Sequence, residues 1–191
     1  VLVGSPGDRL IVVVGQVPEE NPDPAKTPSL FALCSGLSTS FTEGPIVVGS
    51  EVPSITDAHK SARSALSGFS VVGAWNKAPR PTSADDLLAE RALAGDMLAK
   101  TTLINKIYQP LRKNSPDLLD TLVTYLETGR SLELTAREMF VHSNTVRYRL
   151  KKISELIGWD ATGARESFVL QVATLLGKMN EPEPTMRSRE S

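Results

Sequence analysis

The sequence predicts an α+β chain, with a mixed strand-and-helix N-terminal half and an all-helical C-terminal half. Three observations predict it. β-Branched runs (VLVG, LIVVV, GPIVVGSEV) alternate with helical spacing as far as FSVVGAW; from Ser83 onward only helical spacing remains; and a proline-rich joint, NKAPRPTS, lies between.

VLVGSPGDRLIVVVGQV reads as a hairpin about a Pro-Gly-Asp turn. Leu10 to Val14 is apolar throughout and is expected to be a central strand buried on both faces. Residues 18–29 carry four prolines and several charges and are expected to be a loop. Ser29 then opens a helix from Leu30 to about Leu37. GPIVVGSEV is expected to be a strand, Asp57 to cap a helix through Ser67, and FSVVGAW to be a further strand segment. Beyond the joint, ADDLLAERALAG, DMLAKTTLINKIYQPL, SPDLLDTLVTYLETG, SLELTAREMF, SNTVRYRLKKISELI and ESFVLQVATLLGKM all have helical spacing. The domains expected are 1–78, a helical linker 79–111, a helical domain 112–180 and a disordered tail 181–191.

A net charge of −1 confines any nucleic-acid surface to a local patch. The single cysteine, Cys34, excludes an internal disulfide framework and a cysteine-rich metal site, which suits a reducing cytoplasm. No apolar run approaches the roughly 20 residues that cross a bilayer, so no membrane partner is expected. The chain starts mid-strand without Met and reads as the C-terminal piece of a longer protein.

Ser131 to Leu150 reads as a short helix, a tight turn and a second helix. Ser115 or Ser131 can cap the helix that follows, and Gly129 sits where a helix end favours a left-handed residue. Leu132, Ala136, Met139 and Phe140 share a face of the first helix, with Ala136 small enough for close approach. In the second, Val146, Leu150, Ile153 and Ile157 fall within roughly 60° of one another and form its buried stripe. Asn144, Tyr148 and Lys151 then point away from that stripe. Arg147 flanks it on one side; Thr145, Arg149 and Lys152 lie on the other. From Asn144 to Lys152 the helix has four positive side chains and no negative one.

A helix propped on one face and cationic on the other fits the DNA major groove. Asn144, Arg147 and Tyr148 are assigned to base edges; Arg149, Lys151, Lys152, Ser143 and His142 to phosphates, with Thr145 beside them. A charge run is more often just a solvated face. The spacing of Ala136, Val141, Val146 and Leu150, which holds two helices across a short turn, favours DNA.

The segment from Leu118 through TAREMFVHSNTVRYRL to Met179 resembles the C-terminal helix-turn-helix domain of the PucR/CdaR family of bacterial transcriptional regulators. The resemblance rests on Thr135, Ala136, Arg137, Phe140, Val141, His142 and Asn144 to Leu150. It implies a Fis-like helix-turn-helix that binds operator DNA through 143–157. Phe140 stands where glycine often precedes such a turn. Residues 1–78 resemble the degenerate GGDEF-like domain that precedes it in such regulators. Only Gly7 and Asp8 echo that motif, and Pro6 and Arg9 replace its first glycine and a metal-holding carboxylate. Phosphoryl transfer needs that acidic pair, so no enzyme and no cofactor are expected. PRPTSADDLLAERALAGD resembles a subgroup associated with fatty-acid synthesis genes.

Other candidates are weaker. His59 and His142 lack metal-ligand spacing and read as surface or capping residues. Cys34 has no activating neighbour and is expected to be buried. Asp85, Asp86 and Glu90 complement a helix dipole, and Trp75 and Trp159 pack under helices. The expected partners are double-stranded operator DNA and a second copy as a homodimer, with a small-molecule effector acting through an N-terminal domain outside this sequence. The competing reading is a metabolite- or nucleotide-sensing module whose helical part binds protein and not DNA.

Overall fold

A computed structural model describes residues 1–5, 7–15 and 29–181. The expected loop 18–29, apart from Ser29, and the tail beyond Glu181 lie outside those residues. The chain folds as two compact units, Val1–Ala94 and Gly95–Ser191. It is mostly helical, with small sheets.

In the first unit, β1 (Leu2–Gly4) and β2 (Ile11–Val13) form the expected antiparallel hairpin, with Leu2 opposite Val13 and Gly7 at φ +66° in the turn. β2 is neither central nor buried on both faces. Among the described residues β1 is its only partner, and Leu10 is exposed. An unbroken apolar run meets the condition for a buried strand, but a second neighbouring strand must also be present.

The helix α1 (Leu30–Ser38) starts as expected, with Ser29 Oγ accepting from the Ala32 amide at 3.1 Å. Cys34 is half-buried, and burial, then the nearby Glu51 carboxylate, push its thiol above the ordinary value. The helix α2 (Ala58–Val71) overruns its expected end at Ser67, and the predicted strand at FSVVGAW is instead its last turns followed by a 3₁₀ turn, Val72–Ala74. Buried Ser64, Gly68 and Val72 follow a four-residue spacing, so helical packing overrides the β preference of the two valines. A Cβ on Gly68 would lie 2.9 Å from Val47 Cγ1; the missing side chain lets α2 sit on β3 (Val47–Val48).

Asp57 precedes α2 without capping it through its side chain; Ser54 Oγ accepts from the Thr56 amide instead. The proline-rich joint also does more than connect. Thr82–Ser83 is a strand, β4, parallel to β3, too short for alternation to reveal. Arg80 donates to the carbonyls of Ser38, Phe41, Thr42 and Gly44, at 2.5–3.2 Å, and so pins the loop after α1. Asp85 accepts from Ser50 Oγ at 2.6 Å and so does more than face a helix dipole, while Glu90 stands in the first turn of α3 (Leu88–Leu93), as expected, and is buried there.

Among the described residues, the second unit has helices and no strand. Asp96 caps α4 (Met97–Leu103), its Oδ1 accepting from the amides of Leu98 and Ala99. The helix continues through a π-helical turn, Ile104–Tyr108, into α5 (Gln109–Asn114). Pro110 explains the widening. It has no N–H for the Lys106 carbonyl, and its ring crowds that carbonyl. α6 (Pro116–Glu127) follows, with proline at its first position and no side-chain cap from Ser115. α7 (Leu132–Glu138), α8 (Ser143–Ile157) and α9 (Ala164–Met179) complete the unit.

α9 packs on the π-helical turn, α4 and α6. A Cβ on Gly177 would lie 2.1 Å from the Tyr108 ring, so glycine here sets the distance between the two elements. Tyr108 donates its hydroxyl to Glu181 at 2.7 Å, and Arg112 donates to the same carboxylate at 2.8 Å. Burial, then the Glu181 contact, push the Tyr108 phenol up to about 12. Between its ordinary value near 10 and that point the folded chain holds the proton more tightly, so this stabilisation is complete below pH ~10 and fades as pH rises.

Candidate nucleic-acid interface

The site is built from α6, α7 and α8. α6 ends in a Schellman motif: Gly129 takes φ +68°, and the Arg130 amide donates back to the Tyr125 carbonyl at 2.8 Å. Ser131 caps α7 as expected, accepting from the Leu134 amide. Thr135 and Ala136 are the buried residues of α7, and α8 packs against that helix.

Phe140 departs from expectation. α7 stops at Glu138, so Phe140 does not share a buried face with Leu132, Ala136 and Met139; it is 95% exposed. It occupies the left-handed position of a second Schellman motif, at φ +54°, while the Val141 amide donates to the Ala136 carbonyl at 2.9 Å. A Cβ at such a φ costs roughly 1–2 kcal/mol, and so exposed a ring recovers little by burial. Phe140→Gly is therefore expected to raise the unfolding free energy by up to about 1 kcal/mol in a urea titration. A loss of stability would show that the ring packs on something.

The α8 stripe forms as its spacing requires: Val146, Leu150, Ile153 and Ile157 are buried against α5, α6 and α7. His142 is the N-cap, its Nδ1 accepting from the Asn144 amide at 3.1 Å, so that amide is not free for a phosphate. His59 has a comparable local contact, Nδ1 to the Thr56 carbonyl at 2.9 Å. Among the described residues no group of three His, Cys, Asp or Glu side chains is placed to hold a metal.

On the outer face Asn144, Arg147, Tyr148, Lys151 and Lys152 are exposed together with His142, while Ser143, Thr145 and Arg149 are half-buried. Tyr148 is 61% exposed, and the Lys152 ammonium lies 5.7 Å from its ring centroid. Arg147 Nη1 donates to Asn144 Oδ1 at 2.9 Å. Arg149 turns inward and donates to Thr121 Oγ1 of α6 at 3.1 Å. Glu155 accepts from Lys152 at 3.0 Å and lies 4.0 Å from Lys151. Those contacts hold the Glu155 carboxyl below its usual range, chiefly through the Lys152 hydrogen bond, and raise the Lys152 ammonium.

Sequence reasoning missed Thr121 and Glu155. Glu155 was readable, standing three and four residues after the lysines, where helix ion pairs form. Thr121 carried no such signal, because only the packing of α6 brings it to Arg149.

Comparison with known proteins bears on this geometry. Residues 118–176 match the family described as the PucR C-terminal helix-turn-helix domain, so that domain is present in the chain. An uncharacterized protein of Mycobacterium tuberculosis is 45% identical over 148 residues, which is 78% of this chain and 36% of that protein. The purine catabolism regulatory protein of Bacillus subtilis is 36% identical over 78 residues, 41% of this chain and 11% of that protein. The crystal structure of a regulator of polyketide synthase expression from Bifidobacterium adolescentis superposes with a TM-score of 0.63 at 42% identity, over 68% of this chain and 51% of that one. The chain thus spans about a third of the mycobacterial relative's length and about half of the Bifidobacterium chain. No helix among the described residues is long and apolar enough to cross a membrane.

Proposed function

We propose that the chain is the DNA-binding part of a transcriptional regulator, with no enzymatic activity, and that α8 lies in the major groove of operator DNA. The observation that carries this is the two-sidedness of α8: four aliphatic residues buried beneath Asn144, Arg147, Tyr148 and Lys151 facing outward. Its place in a PucR-type helix-turn-helix supports the same reading.

Asn144, Arg147 and Tyr148 are proposed to reach base edges, and Lys151, Lys152, Ser143, Thr145 and His142 the sugar-phosphate backbone. Arg149 serves the phosphates through its free guanidinium edge while Thr121 holds the other. The DNA-binding domain is proposed to span 112–180, preceded by a linker over 79–111 and by a degenerate GGDEF-like domain over 1–78. That last assignment rests on sequence resemblance, as does a target among fatty-acid biosynthesis genes. A single helix-turn-helix buries little DNA surface, so a dimer on paired half-sites is proposed. An effector would act through a part of the regulator outside this sequence.

The test is fluorescence anisotropy on genomic fragments and scrambled duplexes across a salt series. Affinity should fall steeply with salt on both, and remain higher for the enriched fragments. Salt-independent or absent binding would refute the reading. Glu155→Gln sharpens it: releasing both lysines should strengthen binding several-fold on every duplex and steepen the salt dependence. An unchanged slope would mean that the lysines do not meet phosphates.

A further inference from the structure

The outer face of α8 contains a contact between two of the residues proposed to read bases. Arg147 Nη1 donates to Asn144 Oδ1 at 2.9 Å. A guanidinium only donates, so this bond fixes which end of the Asn144 amide is the oxygen. It also tilts the pair's hydrogen-bonding character toward donation. One lone pair of the Asn144 oxygen is engaged, and what remains to face a ligand is chiefly donors: the amide NH₂ and the other guanidinium N–H groups.

A matching base edge must supply acceptors. In the major groove guanine presents two adjacent ones, N7 and O6. Adenine sets its N7 beside an N6 donor, thymine sets one acceptor beside a methyl group, and cytosine presents a donor. Asparagine alone would pair with adenine in a bidentate manner, but here its oxygen would have to accept from adenine N6 and from Arg147 at once.

The neighbouring cations are engaged elsewhere, Arg149 with Thr121 and the two lysines with Glu155. Arg147 makes no ion pair among the described residues and is exposed, so its fork is held by Asn144 and left open outward.

We infer that Asn144 and Arg147 act together as one donor-rich clamp, and that each half-site of the operator carries a guanine where they reach. Asn144 is thus a positioning residue for Arg147 as well as a direct contact. The inference rests on the DNA-binding reading above and narrows it to one base.

The test is selection of bound duplexes from a randomised pool by the whole chain, followed by resynthesis of the enriched duplex with 7-deazaguanine. Enrichment of guanine is expected, and removing its N7 should weaken binding about tenfold or more. Asn144→Ala and Arg147→Ala should each lose preference at that same base pair, and the double variant should lose little beyond Arg147→Ala, because the two side chains act as a unit. Circular dichroism on each variant confirms an intact fold.

Enriched adenine at the pair lost in Asn144→Ala would overturn the clamp, as would loss at different base pairs in the two variants or indifference to 7-deazaguanine. In each of those cases sequence-selective binding would survive, so the regulator reading would stand. Binding without any enrichment would also overturn the clamp, and no binding at any salt would overturn both.

Discussion

Arg147→Ala is expected to cost about 1–3 kcal/mol of affinity for the cognate duplex while leaving scrambled DNA nearly untouched, so that sequence preference relaxes. The side chain is exposed and hydrogen-bonds Asn144 on its own helix, so its removal opens no cavity. Stability should therefore stay within about 0.5 kcal/mol of the parent, as for surface substitutions generally. Gel shifts on both duplexes, with a thermal melt beside them, check the two halves of the expectation. Equal losses on the two DNAs would reassign Arg147 to the phosphate backbone, and loss of both binding and melting temperature would make it structural.

Ile153→Ala should show the opposite pattern. Ile153 is fully buried, in the middle of the stripe by which α8 rests on its neighbouring helices. Truncation removes its transfer free energy and leaves a cavity, together about 2–5 kcal/mol. Most of that should appear in the unfolding free energy, measured by urea titration of the whole chain. DNA binding should fall only with the folded fraction and keep its sequence preference at low temperature. A change of preference without a change of stability would mean that the stripe is not what supports the reading face.

These two variants separate what the sequence made legible from what it did not. The buried stripe of α8 was readable because a fifteen-residue helix repeats its pattern often enough for one phase to stand out. The same phase placed Asn144, Tyr148 and Lys151 outward and Arg147 on the flank of the stripe. Gly129 and Ser131 were readable because caps use few residue types for definite reasons.

The rest depended on contacts that no local pattern records. Arg149 looks like any exposed cation until α6 brings Thr121 to it. Phe140 fits the apolar spacing of α7, but the helix ends two residues earlier and the chain turns left-handed there. β4 is two residues long and gains its meaning from β3 thirty-five positions earlier. The valines after Gly68 favour strand by propensity, yet the helix they extend is set by the four-residue spacing of Ser64, Gly68 and Val72.

Charge was the most misleading local signal. Four cations between Asn144 and Lys152 suggest a uniformly basic face, but Glu155 answers two of them and Thr121 holds a third. The structure concentrates the uncompensated donors near the start of α8, around Arg147.

The claim beneath all of this is that the solvent-facing side of α8, and no other surface, meets the duplex. Backbone and side-chain NMR shifts followed during titration with an enriched duplex test it most directly. The largest changes should fall on His142 to Lys152, above all the Asn144 amide, the Arg147 guanidinium and the Tyr148 ring, while Val146 and Ile153 move little. If those side chains kept their free-state shifts while resonances of α9 or of residues 1–94 moved instead, the account would be wrong.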